Sequence, residues 1–288
     1  MVGALAVARL CETLGTPFVL GGVAWERIPI DPHPGPRSVS EIRGGRRMGD
    51  AAVLASPDTT TPEGVHFSEA RMAGHLGAET VLIDVTGGAS GAAAGIGTAM
   101  EESACDLLVG IDVGGDVLAA GGEPELASPL CDAAVVAGCL ELPMRLDPIL
   151  GVIGPGCDGE LTPAEVLARV AVLARSGAWI GTWGLTPDAA DELEAAAAVV
   201  PTEASLQVVR CARGETGERS IRRGRRRVEL GPAGALTFFF DLRSAAAALP
   251  LTQAVRGSTS IDEARARLAA LGIRTELDYE RERAAAGA

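Results

Sequence analysis

The stretch Thr80-Val-Leu-Ile-Asp-Val85 is a short apolar run that continues through the glycine-rich turn 86–91 into the Ala-rich segment 92–103. An apolar run of this length predicts a buried strand, and the segment behind the glycines predicts a helix. The same order of strand, loop and helix recurs along residues 1–200. Such alternation is typical of a parallel sheet with helices on both faces. We therefore expect a Rossmann-like α/β fold.

The other elements follow from the same patterns. We predict strands at residues 18–20, 51–55, 80–85, 106–113, 149–153, 235–241 and 274–277, and a basic hairpin at 220–230. We predict helices at residues 2–14, 66–76, 92–103, 130–140 and 261–271. Thr162 and Thr186, each followed by proline, mark two more helix starts. No linker divides the chain, so we expect one domain (1–288), with a core at 1–200 and a C-terminal α+β extension at 201–288.

The composition excludes several classes of enzyme. The chain has 288 residues and contains neither lysine nor asparagine. Without lysine it cannot form the imine of a pyridoxal-phosphate enzyme, and it lacks the Walker A lysine of a P-loop. A formal net charge of −13 argues against nucleic acid and against anionic membrane surfaces as partners. Since no signal peptide or long apolar segment is recognisable, we expect a cytoplasmic protein.

Ligands of open α/β sheets bind at the carboxyl ends of the strands, so the loops that follow strands are the first candidates. In Gly110-Ile-Asp-Val-Gly-Gly-Asp116, Asp112 ends a predicted strand and Asp116 follows one tight turn later. Carboxylates around a glycine turn can coordinate a hard divalent cation, Mg²⁺ or Ca²⁺, or divide acid and base roles. We expect Asp112 and Asp116 to be catalytic or metal-binding and Glu123 to contact substrate; a carboxylate that caps the turn is the alternative.

A second loop, Gly154-Pro-Gly-Cys-Asp-Gly-Glu160, lies between a predicted strand and a capped helix. We expect Asp158 and Glu160 to face the same sheet edge as Asp112 and to be catalytic. Cys157 is a weaker candidate for a nucleophile, because a thiolate near a helix N-terminus can have a lowered pKa. The alternative for Cys157 is a buried, unreactive thiol.

The glycine-rich turn before segment 92–103 is a candidate anion or cofactor site. Its glycines let the backbone approach a ligand closely, and a helix N-terminus offers free N–H groups. We expect the contacts to come from Gly87, Gly88, Ser90 and Gly91. The turn lacks the G-x-G-x-x-G spacing of a dinucleotide fingerprint, so the cofactor is not identified.

A proline-rich loop follows the first predicted strand and is stiffened by Pro29, Pro32, Pro34 and Pro36. A stiff loop holds polar groups at a low entropy cost, which suits a binding site. Its candidate substrate contacts are Trp25, Glu26, Arg27, Asp31 and Arg37. Arg37 is expected to fork onto a carboxylate or phosphate; the alternative is a structural loop whose acidic and arginine side chains pair. Glu203, in the first turn of a later helix, is a further candidate contact.

Several of these segments together resemble the domain-of-unknown-function 1152 family. The matching segments are Trp25-Glu-Arg27, Asp31-Pro-His-Pro-Gly-Pro-Arg37, Asp84-Val-Thr-Gly-Gly88, Asp112-Val-Gly-Gly-Asp-Val-Leu118, Ser128-Pro-Leu130, Gly154-Pro-Gly-Cys-Asp-Gly-Glu160, Pro201-Thr-Glu203 and Arg274-Thr-Glu-Leu-Asp278. The resemblance covers nearly the whole chain and implies a Rossmann-like core in largely uncharacterised bacterial and archaeal proteins. It also implies an apolar strand and a Gly-Gly-Gly-Gly-Asp-like loop before the first helix. Met1-Val-Gly-Ala-Leu-Ala6 begins at that helix, so we expect a sheet without its first strand.

These patterns favour a small-molecule enzyme of hydrolase or lyase type that binds a polar anionic or nucleoside-like metabolite at the carboxyl ends of the strands. The alternative is a non-catalytic nucleotide- or metabolite-binding protein with a regulatory role. A third interpretation is an assembly protein, in which the apolar strand Leu236-Thr-Phe-Phe-Phe240 pairs across a homodimer.

Overall fold

The computed structural model describes residues 1–28 and 30–286, so Pro29 of the proline-rich loop lies outside the described residues. The strands of this part are β1 (Gly21–Val23), β2 (Arg46–Met48), β3 (Ala52–Ala55), β4 (Thr80–Ile83), β5 (Val109–Val113), β6 (Ile149–Ile153), β7 (Trp179–Gly184), β8 (Gly217–Ile221), β9 (Arg226–Leu230) and β10 (Leu236–Asp241). The helices are α1 (Val2–Thr13), α2 (Ser68–Leu76), α3 (Gly88–Glu102), α4 (Pro129–Glu141), α5 (Pro163–Arg175), α6 (Pro187–Ala197), α7 (Ala204–Ala212), α8 (Leu242–Ala245), α9 (Pro250–Val255), α10 (Ile261–Ala269) and α11 (Glu276–Ala285).

The strands form two four-stranded sheets and a separate hairpin. The first sheet has the order β1-β4-β3-β2, the second has the order β5-β6-β10-β7, and β8 pairs with β9. Only β1 with β4 and β5 with β6 are parallel pairs among the described strands; the other pairs are antiparallel. The fold is therefore mixed α/β, which corrects the expectation of one parallel sheet.

The C-terminal region explains part of this difference. β10 lies between β6 and β7 and is antiparallel to both. The sequence could not show that β10 is antiparallel, because a strand buried on both faces is apolar whatever its direction. Both edges of β10 are paired, and Phe238 and Phe240 are buried. The Phe-rich strand is therefore not free to pair across a homodimer, contrary to the third interpretation.

Several element assignments also change. The strand predicted at 18–20 lies at Gly21–Val23. The strand predicted at 274–277 is the start of α11, where Thr275 and Asp278 form a capping box that the sequence analysis did not recognise. The elements β2, β7, α8 and α9 were not predicted. The capped helix starts at Thr162 and Thr186 are confirmed, as is the basic hairpin.

The helices α3 and α4 pack closely against each other. A Cβ at Gly138 of α4 would lie 2.8 Å from the carbonyl oxygen of Ala89 in α3, so this crossing requires glycine. None of the helices in the described part is both long and apolar enough to span a bilayer.

A cavity of about 700 Å³ lies between the two sheets. β1 and β5, the edge strands of the two sheets, form its sides, α1 covers one face, and α3 and α4 cover the other. We call it the central cavity. The first described helix is α1, as expected, and no described strand joins β1 to β5.

Candidate functional site

Five carboxylates meet at the carboxyl end of β5. Oxygens of Asp112, Asp116 and Asp132 lie within 4.8 Å of one another, and so do oxygens of Asp116, Asp158 and Glu160. Asp116 belongs to both groups, which makes it the centre of the arrangement. We call these five residues the acidic cluster. The cluster contains the four residues that were predicted to be catalytic, Asp112, Asp116, Asp158 and Glu160. It also contains Asp132, which was not among the predicted site residues.

The glycine turn after β5 holds the first carboxylates in place. Gly114 and Gly115 have φ angles of 120° and 102°, which side chains rarely adopt. A Cβ at Gly114 would also collide with the carboxyl carbon of Asp158. The N–H of Gly115 donates to Asp112 Oδ2 at 2.9 Å. The turn therefore serves both to bend the chain toward Asp116 and to admit Asp158.

Glu160 organises the loop that leads into α4. Its Oε2 accepts hydrogen bonds from the N–H groups of Ala127 (2.7 Å) and Ser128 (2.8 Å), and its Oε1 accepts one from Ser128 Oγ (2.6 Å). Arg222 Nη1 lies 3.5 Å from the same Oε1 and partly balances the charge. Because α4 begins at Pro129, these bonds fix the position from which Asp132 reaches the acidic cluster.

The four aspartates of the acidic cluster have raised pKa values and hold protons more tightly than isolated carboxylates do. Burial raises the pKa of Asp112 to about 6. Burial, with the charges of Glu160 and Asp112, raises the pKa of Asp158 to about 7. The pKa values of Asp116 and Asp132 are also raised, first by burial and then by the neighbouring carboxylates. Carboxylates that are ionised and close together in a buried site repel each other. Binding of protons or of a cation removes this repulsion.

Arg27 and Trp25 stand beside the acidic cluster. The guanidinium carbon of Arg27 lies 4.1 Å from the centroid of the Trp25 ring, within the range of a cation–π contact. Arg27 Nη2 lies 3.1 Å from Glu276 Oε1. Trp25 Nε1 donates to Glu280 Oε2 at 2.9 Å. Arg27 Nη1 is buried and has no hydrogen-bond partner among the described residues, so it can still donate to a ligand.

Glu276 connects this pair to the acidic cluster. Its carboxylate accepts hydrogen bonds from the N–H groups of Leu130 (3.0 Å) and Cys131 (2.8 Å) at the start of α4. Glu276 was missed because residues 274–277 were assigned to a strand, and Glu280 was missed because it lies in the tail after that segment. The pattern Thr275-x-x-Asp278 is the signal that could have placed both on a helix. Asp132 could have been found from Pro129, which marks a helix start and puts Asp132 in the first turn.

The acidic cluster opens into the central cavity. Asp112 and Asp132, both only half-buried, line this cavity together with Trp25 and Glu26. A cavity of about 700 Å³ is within the usual range for small-molecule sites. The other members of the cluster, Asp116, Asp158 and Glu160, are buried and are not part of the lining.

Asp31 and Arg37 form a buried ion pair with each other. Arg37 Nε lies 2.8 Å from Asp31 Oδ2, and Arg37 Nη2 lies 2.9 Å from Asp31 Oδ1. Arg37 Nη2 also lies 3.0 Å from Glu63 Oε2. The guanidinium of Arg37 therefore makes its two-point contact with Asp31 and is not open to a ligand carboxylate or phosphate. This agrees with the alternative of a structural loop whose charged side chains pair with each other.

The glycine-rich turn before α3 is closed by another segment of the chain. The N–H groups of Ala89 and Ser90 both donate to Ser258, to its Oγ and its carbonyl oxygen respectively, each at 3.0 Å. A Cβ at Gly88 would lie 2.8 Å from Ser258 Oγ. Gly91 N donates to Gly87 O at 3.0 Å. Gly87, Gly88, Ser90 and Gly91 are not part of the lining of the central cavity.

Three more candidates lie outside the acidic cluster. Glu123 accepts hydrogen bonds from the N–H groups of Ala120 (2.7 Å) and Gly121 (2.8 Å), so it caps a turn. Glu203 is exposed and accepts from the N–H of Arg222. Cys157 is buried. Its pKa is raised, first by its hydrogen bond with Cys211 and then by burial. A raised pKa keeps Cys157 a neutral thiol, which is a poor nucleophile.

Comparison with known proteins gives one match. A family model described as "Protein of unknown function (DUF1152)" matches residues 1–284, essentially the whole chain. Comparison with curated proteins and with solved structures gives no match.

Proposed function

The chain belongs to the DUF1152 family, and we propose that it is a cation-dependent enzyme of hydrolase or lyase type acting on an anionic or nucleoside-like metabolite. The description of the family names no activity, so the proposal depends on the geometry of the site. The observation that carries it is the convergence of five carboxylates on Asp116 at the edge of a cavity large enough for a metabolite.

A divalent cation fits this convergence better than protons alone. Mg²⁺ and Ca²⁺ prefer carboxylate oxygens, and Mg²⁺ in particular keeps open positions for water and for substrate phosphates. Asp112, Asp116 and Asp132 supply three carboxylates whose oxygens are within 4.8 Å of one another. Two of them line the central cavity, so a cation held between them would present its open positions to a ligand there.

Arg27 supports an anionic ligand. Its Nη1 is buried and has no hydrogen-bond partner within residues 1–28 and 30–286, although Glu280 Oε1 lies 3.8 Å away. Its ion-pair partner Glu276 accepts the N–H of Cys131, the residue before Asp132, which places Arg27 close to the cation ligands. A phosphate or carboxylate between the cation and Arg27 would satisfy this donor and complete the cation's coordination. The stacking of Arg27 on Trp25 keeps the guanidinium in position for that role.

The chemistry follows from the cation. A bound cation can polarise a phosphoryl or carbonyl oxygen and can lower the pKa of a bound water so that it attacks at neutral pH. Asp158 and Glu160 do not line the central cavity, so we assign them to holding Asp116 and Ser128 in place rather than to contact with substrate.

The first test is thermal unfolding of EDTA-treated protein with Mg²⁺, Ca²⁺ or Mn²⁺ added. We expect a cation to raise the Tm of the wild type but not that of Asp116→Asn. Asp50→Asn is the matched control, because it makes the same chemical change at a fully exposed carboxylate. A cation that stabilises all three proteins equally would contradict the assignment of the acidic cluster.

The second test is a screen of nucleoside monophosphates, sugar phosphates and carboxylates with the cation present, with products detected by mass spectrometry. Turnover that Asp116→Asn abolishes supports the enzyme. Cation-dependent binding without product supports the metabolite-binding alternative instead. If none of these compounds binds or is converted to a product, a ligand site in this cavity is refuted.

A further inference from the structure

Two cysteines from distant parts of the chain meet beside the loop that carries Asp158. Cys157 lies in this loop, after β6, and Cys211 lies in the last turn of α7. Both are free thiols. A Cβ placed on Gly234 would lie 2.5 Å from Cys211 Sγ and 3.2 Å from Cys157 Sγ, so the two sulfur atoms are within about 6 Å of each other. We call these two residues the cysteine pair.

Two glycines allow the close approach of the segments that carry the cysteine pair. A Cβ at Gly154 would lie 2.4 Å from Val208 Cγ2, on the same face of α7 as Cys211, and 3.2 Å from Cys157 Sγ. On the other side, the Cys157 thiol donates to the carbonyl oxygen of Gly234 at 3.8 Å. A larger residue at either glycine would push α7 or its neighbour away from the loop. The packing therefore holds the two thiols against each other.

Cys211 is the more reactive member of the cysteine pair. The hydrogen bond from the Cys157 thiol lowers the pKa of Cys211 to about 7, against the effect of burial, and the N–H of Gly231 adds to this lowering. A large fraction of Cys211 is therefore thiolate at neutral pH, and the thiolate is the form that reacts with oxidants. Cys157 stays a neutral thiol next to it.

We propose that Cys157 and Cys211 form a reversible disulfide when the protein meets hydrogen peroxide. The Cys211 thiolate attacks one peroxide oxygen, the O–O bond breaks, and the departing hydroxide takes a proton to become water. Cys211 is then a sulfenic acid. The Cys157 sulfur attacks the sulfenic sulfur, the S–O bond breaks, and the hydroxide leaves with the Cys157 proton as a second water. Two thiols are oxidised and one peroxide is reduced; a dithiol reductant reverses the reaction.

Burial determines which oxidants and which cysteines take part. Cys157 is 1% exposed and Cys211 is 4% exposed, so an oxidant reaches them only during local opening of the packed segments. A small neutral peroxide passes through such openings more easily than a bulky disulfide reagent. Cys131 and Cys139 are also buried, but they lie eight residues apart on α4, about 12 Å along the helix axis, and cannot link to each other in the folded protein.

The cysteine pair is connected to the acidic cluster through the backbone. The N–H of Gly156 donates to the carbonyl oxygen of Gly114 at 2.7 Å, and Gly114 leaves the space that the Asp158 carboxyl occupies. A disulfide draws Cys157 toward α7 and so moves the backbone next to Asp158. We expect oxidation to weaken cation binding at the acidic cluster. This consequence rests on the proposed function, whereas formation of the disulfide does not.

The effect on the cation site is measured by thermal unfolding with Mn²⁺. We expect a smaller Mn²⁺-dependent rise in Tm for the peroxide-treated wild type than for the reduced wild type. Peroxide should not change this rise in Cys211→Ser. Equal rises in oxidised and reduced wild type would overturn the connection to the acidic cluster. The absence of any rise in the reduced protein would count against the proposed cation site and not against the disulfide.

The disulfide itself is tested on the full chain without added metal. The reduced wild type is treated with hydrogen peroxide, the remaining thiols are alkylated in denaturant, and the peptides are mapped by mass spectrometry. We expect a peptide pair linked through Cys157 and Cys211, which dithiothreitol separates. No linked pair, or equal yields of links to other cysteines, would overturn the proposal.

Three variants identify the role of each sulfur. We expect Cys157→Ser to stop at a sulfenic acid on Cys211 that dimedone labels, and Cys211→Ser to leave Cys157 unlabelled. Cys139→Ser is the matched control, because it makes the same change at a buried cysteine outside the pair, and it should form the link as the wild type does. Dimedone labelling of Cys157 in Cys211→Ser would contradict the assignment of Cys211 as the reactive sulfur.

Discussion

Replacing the buried Glu69 carboxyl with an amide should stabilise the protein above neutral pH. The pKa of Glu69 is raised from its ordinary 4.5 to about 8, first by burial and then by the charge of Glu26. The folded state therefore holds this proton more tightly than the unfolded state does, so the free energy of unfolding falls as the pH rises from about 4.5 to about 8. Glu69→Gln keeps the shape of the side chain and removes the cost of ionising it.

The magnitude follows from the pKa. At about 1.4 kcal/mol per pH unit, the interval from 4.5 to about 8 corresponds to an upper limit of about 5 kcal/mol. Relaxation of the protein and entry of water lower the cost of an ionised buried carboxylate, so we expect a gain of about 2 kcal/mol at high pH. At roughly 2 to 4 °C for each kcal/mol, this is a rise in Tm of about 4 to 8 °C.

The assay is thermal unfolding of wild type and Glu69→Gln at about pH 5 and about pH 9, below and above most of this interval. We expect a gain at the higher pH and little difference at the lower one. Glu79→Gln makes the same change at an exposed residue and should show no such dependence. An equal Tm difference at both pH values, or a less stable variant at high pH, would refute the reasoning.

Three further changes have distinct expected outcomes. Asp31→Asn removes the buried bidentate partner of Arg37 and leaves it only the more exposed Glu41 and Glu63, so urea denaturation should show a loss of about 3 kcal/mol. Gly114→Ala should lower the Tm more than Gly64→Ala, since both glycines have positive φ but only Gly114 would also collide with a side chain; equal losses would contradict this. Arg27→Gln should weaken binding of an anionic metabolite while leaving the cation-dependent Tm shift intact, and loss of that shift would show that Arg27 acts on the cation site.

The acidic loop after β5 could be predicted because its signals are local. A strand followed by two glycines and an aspartate determines where Asp112 and Asp116 lie, and the same holds for Asp158 and Glu160 after β6. The rule that ligands bind at the carboxyl ends of strands then groups them without any knowledge of strand order.

The rest of the site depends on contacts between distant parts of the chain. Glu276 contacts the start of α4 across 146 residues of sequence, and no local pattern encodes that meeting. The insertion of β10 between β6 and β7 is equally non-local. The partner of Arg37 could not be predicted for a different reason. The sequence around Arg37 is the same whether its guanidinium binds a ligand or Asp31, and only the structure shows that it binds Asp31.

The most direct test of the cation site is anomalous diffraction from crystals of the protein grown with Mn²⁺. We expect an anomalous peak between the carboxylates of Asp112, Asp116 and Asp132, with an open side toward the central cavity. An Mn²⁺ peak elsewhere, or no peak at the acidic cluster at saturating Mn²⁺, would contradict the account.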